Sequence, residues 1–148
     1  MPDTAHRIRE IADADVREFV RIDGLRTGLP KAAYWKKVLA GRTGWVGIAA
    51  AGRGEPLSGY LIGEVRAFEF GSEPCGWIFA VAVDPACSRE GVATALLDEA
   101  CRRFRAAGVE RVRTMVRRTD VPFLSFFRAR GFVGGPFVQL ERELEVEG

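Results

Sequence analysis

The sequence has 148 residues, the size of one ordinary domain, so we expect a single domain spanning residues 1–148. Its 22 Lys and Arg against 20 Asp and Glu give a formal charge of +2, which argues against nucleic acid as a partner. Three cysteines without CxxC spacing and one histidine predict no metal site, and the lack of a signal peptide or membrane-spanning run predicts a cytoplasmic protein without a membrane partner.

The first third of the chain predicts one strand and two helices. Residues 7–11 alternate charged and apolar side chains, as a short strand does, and Asp13 is placed to cap a helix over residues 14–23. After a glycine-containing loop, Pro30 opens a second helical pattern that stops at Gly41.

Three apolar runs then predict the middle of a sheet. Residues 44–52 and 57–70 flank a turn-like Arg-Gly-Glu-Pro segment, and the second run alternates with period two, so the pair predicts an antiparallel hairpin. Residues 75–83 are apolar on both faces, which is typical of a central strand covered by helices on each side.

The C-terminal half alternates helices with strands. An apolar helical stripe runs from Val92 to a stop at Gly108, residues 111–117 predict a strand, and residues 119–131 predict a capped helix. The alternating segment 135–144 predicts a last strand. The order βααβββαβαβ indicates an α/β (α+β) layer arrangement, with a mixed central sheet of about 6–7 strands flanked by about 4 helices.

The junction between residues 75–83 and the following helix, written PACSREGVA, consists of small and polar residues. Amides at a helix N-terminus lack intrahelical acceptors and carry the positive end of the helix dipole, so they bind anions. Gly91 and Ala93 leave such amides accessible to a diphosphate. Neither a P-loop nor a Rossmann glycine pattern is present, which argues against a nucleotide triphosphatase and a dinucleotide dehydrogenase. An ordinary tight strand-to-helix turn is the alternative.

The junction also resembles a known motif. Residues 81–97, VAVDPACSREGVATALL, resemble motif A of the GNAT superfamily of acyl-CoA-dependent N-acyltransferases, in which V-x-P precedes [Q/R]-x-x-G-x-[G/A] and an apolar helix. Residues 119–132, TDVPFLSFFRARGF, resemble the family's motif B, with its aromatic pair and closing Gly-Phe. Together with the matching order of elements, the two motifs imply the GNAT fold and acetyl-CoA as the acyl-donor cosubstrate.

The resemblance implies a coenzyme site between two splayed strands. Strand 77–83 would separate from strand 112–117, pantetheine would run in the opening, and the diphosphate would lie on the amides that lead into the helix. The implied coenzyme-binding residues are Val81, Ala82, Val83, Ser88, Arg89, Glu90, Gly91, Val92, Ala93, Thr94 and Phe127.

Several positions depart from the family's pattern. Ser88 stands where Gln or Arg is usual, and Arg89 where a glycine is common. Phe127 occupies the position of a tyrosine that often protonates the leaving thiolate, and Met115 that of a glutamate found in some protein-acetylating members. The usual acid and base are therefore missing from these positions.

The remaining carboxylates near the expected cleft are Glu64, Glu69 and Glu73. Alternation along the predicted strand places Glu69 on the face of Val65 and Ala67, so Glu69 is the preferred candidate for the general base. Each of the three carboxylates has a solvated surface role as its alternative.

Four residues are candidates for binding the acceptor. Tyr34 and Trp35 lie where family members build the acceptor pocket, with plain helix packing as the alternative. Arg117 and Arg118 suit a substrate carboxylate, with a solvated strand face as the alternative.

The sequence therefore predicts acetyl transfer from acetyl-CoA to a primary amine of a small or amino-acid-like molecule. A protein N-acetyltransferase, and a coenzyme A-sensing or interaction module that has lost catalysis, are the alternatives. The resemblance also allows a homodimer that pairs through the predicted last strand.

Overall fold

The structure is a computed structural model, and it describes residues 7–28, 31–33, 35–36, 45–51, 56–67, 69–88 and 91–145. The chain forms two compact units, Met1–Met115 and Val116–Gly148. The first unit contains strands β1 (Arg7–Glu10), β2 (Trp45–Ala51), β3 (Leu57–Arg66), β4 (Cys75–Val83) and β5 (Val112–Thr114), with helices α1 (Val16–Thr27) and α2 (Val92–Ala106). The second unit contains helix α3 (Val121–Ala129). None of the described helices is long and apolar enough to cross a membrane.

The five strands form one sheet in the order β1-β2-β3-β4-β5. The first three pairings are antiparallel, whereas β4 pairs with β5 in parallel, and helix α2 connects these two strands. The register between β3 and β4 shifts at one point, where Ile62 faces Ala80 but Gly63 faces Ile78. Phe79 is therefore the extra residue of a β-bulge in β4.

Apolar side chains cover both faces of the sheet. On one face α1 contributes Phe19 and Ile22 to a core that includes Tyr60 and Ile62 of β3. On the other face three glycines leave room for α2, because a Cβ at Gly76 would lie 2.6 Å from the Phe104 ring. The buried residues of α2 are Val92, Leu96, Leu97, Ala100 and Phe104, which is the stripe that the sequence predicts.

The described residues contain five strands and three α-helices, fewer than the about 6–7 strands and about 4 helices predicted. The predicted last strand over residues 135–144 is wrong, because this segment has no strand pairing and every residue in it is exposed. Alternating apolar residues make a strand only when another strand supplies the hydrogen-bond partners. Part of the predicted second helix lies outside the described residues, but the Trp35 amide donates to the Lys31 carbonyl at 3.0 Å, as in a helix.

Helix α1 begins later than predicted. Residues Asp13–Asp15 form a 3-10 turn, and α1 starts at Val16. Asp15 replaces Asp13 as the organising side chain, because its carboxylate accepts from the Ala12 amide and from both terminal nitrogens of Arg9, each at 2.8 Å. Both acidic residues fit the local sequence pattern, and the contact with β1 selects Asp15.

Candidate functional site

The ladder between β4 and β5 is short and ends in the middle of β4. Its three register pairs are Gly76 with Val112, Trp77 with Arg113, and Ile78 with Thr114. The Thr114 hydroxyl donates to the Ile78 carbonyl at 3.0 Å and closes the ladder. Beyond Ile78, β4 continues to Val83 with its register partners on β3. This arrangement agrees with the splayed strands that the motif resemblance implies.

The junction after β4 is built mainly from backbone groups. The Asp84 carboxylate accepts from the Ala86 amide at 2.9 Å and so orders the 3-10 turn Pro85–Cys87. Gly91 then caps α2 with φ at +74°, a left-handed conformation that favours glycine. A Cβ at Gly91 would meet no atom of the described chain within 4 Å. The start of α2, whose first amides lack acceptors within the helix, is therefore open on the side of Gly91.

Arg21 connects helix α1 to this junction. Its guanidinium donates to Asp84 Oδ2 at 2.6 Å, to both carboxylate oxygens of Glu18 at 2.9 and 3.0 Å, and to the Leu57 carbonyl at 3.0 Å. The Leu57 amide in turn donates to Glu18 at 2.9 Å, and the Asp84 amide donates to the Ser58 carbonyl at 2.8 Å. The end of β4 is thus fixed by α1 and by the start of β3.

The Arg21 network keeps its carboxylates charged. Hydrogen bonds from Arg21 hold the pKa of Glu18 and that of Asp84 below their ordinary values, and the amides of Leu57 and Ala86 act in the same direction. The two carboxylates raise the pKa of Arg21 in return. The sequence pattern does not indicate this network, because Arg21 and Asp84 are 63 positions apart and only the Glu18–Arg21 spacing has a local pattern.

A second group of side chains surrounds the bulge, which lies where the β4–β5 ladder ends. Glu64 is in register with Trp77, and the Arg66 Nε lies 3.6 Å from Glu64 Oε1. The Arg66 guanidinium also lies 5.3 Å from the centroid of the Phe79 ring, which is 52% exposed. We call Glu64, Arg66, Trp77 and Phe79 the bulge patch.

A short ladder followed by a glycine-capped helix is the arrangement expected of an acyl-coenzyme A site. Residues 8–132 match the family model described as the acetyltransferase (GNAT) family. The chain belongs to the GNAT acetyltransferase family. No curated protein matches the sequence.

Several solved structures have a similar fold. An aminoglycoside acetyltransferase from an uncultured soil metagenomic sample, in complex with sisomicin, is 21% identical with a TM-score of 0.77, covering 98% of this chain and 100% of its own. An aminoglycoside N-acetyltransferase in complex with CoA is 14% identical with a TM-score of 0.78, covering 93% and 94%. A transcriptional regulator from Bacillus halodurans is 16% identical with a TM-score of 0.78, covering 94% and 99%. At these identities the likeness shows the fold alone.

Eight of the predicted coenzyme residues of this GNAT chain lie along one path in the first unit. Val81, Ala82 and Val83 end β4, Ser88 follows the 3-10 turn, and residues 91–94 begin α2. Arg89 and Glu90, like the acceptor candidate Tyr34, lie outside the described residues. The coenzyme-binding role of this path remains a prediction.

The candidate base Glu69 does not lie on a strand. Strand β3 ends at Arg66, and Glu69 lies in a 3-10 turn that contains Phe70 at φ +55°. The alternation on which its predicted orientation depends therefore stops three residues earlier. Glu64 lies on β3 beside the bulge, whereas Glu73 lies before the start of β4.

Trp35 has the environment of a core residue. It is 3% exposed, its indole N–H donates to Asp23 at 3.2 Å, and its ring packs edge-on against Phe19 and Tyr60. These contacts are those of packing, so they give no support to the acceptor-binding role predicted for Trp35.

The second unit contains the other predicted residues. Arg117 and Arg118 are exposed. Phe127 is 6% exposed and contacts the rings of Phe123, Phe126 and Phe132. The sequence predicts Thr119 or Asp120 as the cap of α3, and the structure has Asp120, whose carboxylate accepts from the Phe123 amide at 3.2 Å. The roles predicted for Arg117, Arg118 and Phe127 remain predictions.

A cavity of about 370 Å³ lies at the N-terminal end of β4, away from the junction with α2. Arg113 lines this cavity, and its guanidinium donates to Ser72 Oγ at 2.6 Å and to the buried Cys75 Sγ at 3.4 Å. About 13 Å of strand separates Cys75 from Phe79, so this cavity is distinct from the ladder end. The lining residues are Ser72, Glu73, Pro74, Cys75, Gly108, Glu110, Arg111 and Arg113. The described residues contain no cluster of His, Cys, Asp and Glu that could hold a metal ion.

Proposed function

We propose that the protein transfers an acetyl group from acetyl-CoA to a primary amine of a small or amino-acid-like molecule. The observation that carries this proposal is the end of the β4–β5 ladder at Ile78, on the strand that leads into the glycine-capped helix α2. Membership of the GNAT acetyltransferase family supports the donor, because these enzymes use acetyl-CoA.

The residues of the junction fit a diphosphate. The first amides of α2 have no intrahelical acceptor and lie at the positive end of its dipole. Gly91 places no side chain in front of these amides, and glycine adopts without strain the positive φ that the start of the helix requires. The pantetheine arm would lie along the backbone of Val81 and Val83, beyond the last register pair with β5.

The proposed reaction is a direct attack on the thioester. The coenzyme supplies an activated acetyl group, a bond forms from the amine nitrogen to the carbonyl carbon, and the bond to sulfur breaks to release a thiolate. The acceptor ammonium must first lose a proton, which Glu64 beside the bulge or water accepts, and the nitrogen loses a second proton to water as the amide forms. Phe127 has no proton to donate, so the thiolate takes its proton from solvent.

Coenzyme binding without catalysis is the second candidate function. Phe127 and Met115 favour it, because neither side chain can act as an acid or a base. The experiment that separates the two functions measures thiol release from acetyl-CoA in the presence of a panel of primary amines. Repeated, amine-dependent turnover supports acetyl transfer, whereas binding of acetyl-CoA without turnover on any amine supports the second function.

A further inference from the structure

The bulge patch presents one negative and one positive group side by side. The side chains of Glu64 and Arg66 are 31% and 37% exposed, and their closest charged atoms are 3.6 Å apart. A guanidinium has five N–H donors and a carboxylate has about four lone-pair sites, so both groups can take part in several hydrogen bonds at once. A ligand that carries one carboxylate and one ammonium group could therefore contact Arg66 with the first and Glu64 with the second.

An apolar surface adjoins this charge pair. The Phe79 ring is half exposed on the bulge and contacts the Arg66 guanidinium. Trp77 precedes the bulge on β4 and is in register with Glu64. In small-ligand sites, aromatic rings bind the apolar part of the ligand and a few charged or polar groups fix its orientation.

The charges of the bulge patch do not suit a polycation. Its charged residues are one arginine and one glutamate, Arg66 and Glu64. A balanced set provides no excess of carboxylates for several ammonium groups, and the Arg66 charge opposes a cation placed next to Glu64.

We propose that the acceptor amine is an α-amino acid with an apolar side chain. Arg66 binds its carboxylate, Glu64 binds its ammonium group and accepts the proton released before attack, and Phe79 contacts its side chain. The inference rests on the proposed acetyl transfer and names the acceptor for that same site. It separates this protein from relatives such as the one solved with sisomicin, an aminoglycoside with several amines.

The test compares L-phenylalanine, L-phenylalanine amide and sisomicin as acceptors, with thiol release as the readout. The amide keeps the ammonium group and the ring but lacks the carboxylate. We expect kcat/KM for phenylalanine to exceed that for the amide by about tenfold or more, a difference typical of one charge-assisted contact. An equal or higher kcat/KM for the amide or for sisomicin would overturn the inference while leaving acetyl transfer intact.

Variants at position 66 test whether Arg66 causes the preference for phenylalanine over phenylalanine amide. Arg66→Gln should lower kcat/KM for phenylalanine about tenfold and leave that for the amide within about twofold, with partial recovery in Arg66→Lys. Arg102→Gln is the matched control, because Arg102 is an exposed arginine paired with Glu99 on α2. An unchanged preference in Arg66→Gln would contradict the assignment.

A binding measurement keeps the inference separate from the proposed reaction. Phenylalanine is titrated in a calorimeter into wild-type protein saturated with coenzyme A, and into Arg66→Gln prepared in the same way. Binding that weakens about tenfold in the variant supports the site even if no amine turns over, in which case acetyl transfer alone fails. No binding of phenylalanine to the wild type would overturn the inference.

Discussion

At the scale of single residues, Gly91 is the clearest link between sequence and proposed function. Its left-handed backbone explains why glycine is needed, and the open space in front of it explains how a ligand would approach. The sequence motif identifies Gly91, whereas the structure distinguishes two reasons for glycine there: its left-handed backbone and the open space in front of it.

Replacing Gly91 with valine should weaken acetyl-CoA binding by about tenfold or more, because a branched side chain would occupy the space in front of the α2 amides. Gly108→Val is the control, since Gly108 also has a positive φ, +90°, but lies at the other end of α2. It should incur a similar backbone strain and bind acetyl-CoA as the wild type does. Cys87→Ala should also change the affinity little. Calorimetric affinities of the three variants check this, and equal affinity of Gly91→Val and wild type would place the site elsewhere.

At the scale of elements, Arg21 holds α1, the start of β3 and the end of β4 together. Arg21→Met should lower the free energy of unfolding by about 1 to 2 kcal/mol, because Glu18 and Asp84 lose their charged donor and Arg21 is only partly exposed. Arg17→Met, an exposed change on the same helix, should cost less than about 0.5 kcal/mol. Urea unfolding at neutral pH measures both, and equal losses would show that the network does not stabilise the junction.

The same network predicts an acid-dependent loss of stability. The pKa values of Glu18 and Asp84 are lower in the folded than in the unfolded chain. Their contribution to the free energy of unfolding is therefore complete above the pH range in which ordinary carboxylates titrate. This contribution is lost as the pH falls below about 4.5 and then through the lowered pKa values of the folded chain. Arg21→Met should therefore lose less stability than the wild type between neutral pH and pH 3. Parallel slopes in urea unfolding across this range would contradict the prediction.

Helix α2 lies close to the sheet because glycines face it. Gly76→Ala should destabilise the protein by about 1 to 3 kcal/mol, since the added Cβ would overlap the Phe104 ring. Combining it with Phe104→Leu should recover about 1 kcal/mol or more relative to the sum of the single changes. At Gly63 the added Cβ would lie 2.6 Å from the Trp77 carbonyl oxygen, a backbone atom, so Phe104→Leu should relieve that change less. Additive effects at Gly76 would contradict the packing account.

Elements that are specified locally were predictable from the sequence, and elements that need a distant partner were not. Strand β4 has the predicted bounds, Cys75–Val83, because its apolar run is bounded by a turn at each end. The bulge at Phe79 and the end of β5 at Thr114 depend on register between strands, which the sequence pattern does not encode. The wrong last strand over 135–144 has the same cause.

At the scale of the whole molecule, the two motifs and the order of elements identified the family, because both are read from contiguous sequence. The acceptor side was harder to predict. Trp35 has the burial of a core residue. Glu64 and Arg66, which we propose to bind the acceptor, are brought next to Phe79 only by pairing between β3 and β4. The low formal charge of +2 argues against nucleic acid as a partner, but it does not indicate how charges are balanced locally.

The central claim is that the junction before α2 binds the coenzyme through its diphosphate. Calorimetric titration of the purified protein with acetyl-CoA and with S-acetylpantetheine, which has the same thioester but no diphosphate, tests it most directly. We expect a dissociation constant of about micromolar order for acetyl-CoA and affinity weaker by about a hundredfold for acetylpantetheine. No binding of acetyl-CoA at millimolar concentration, or equal affinity for the two compounds, would contradict the account.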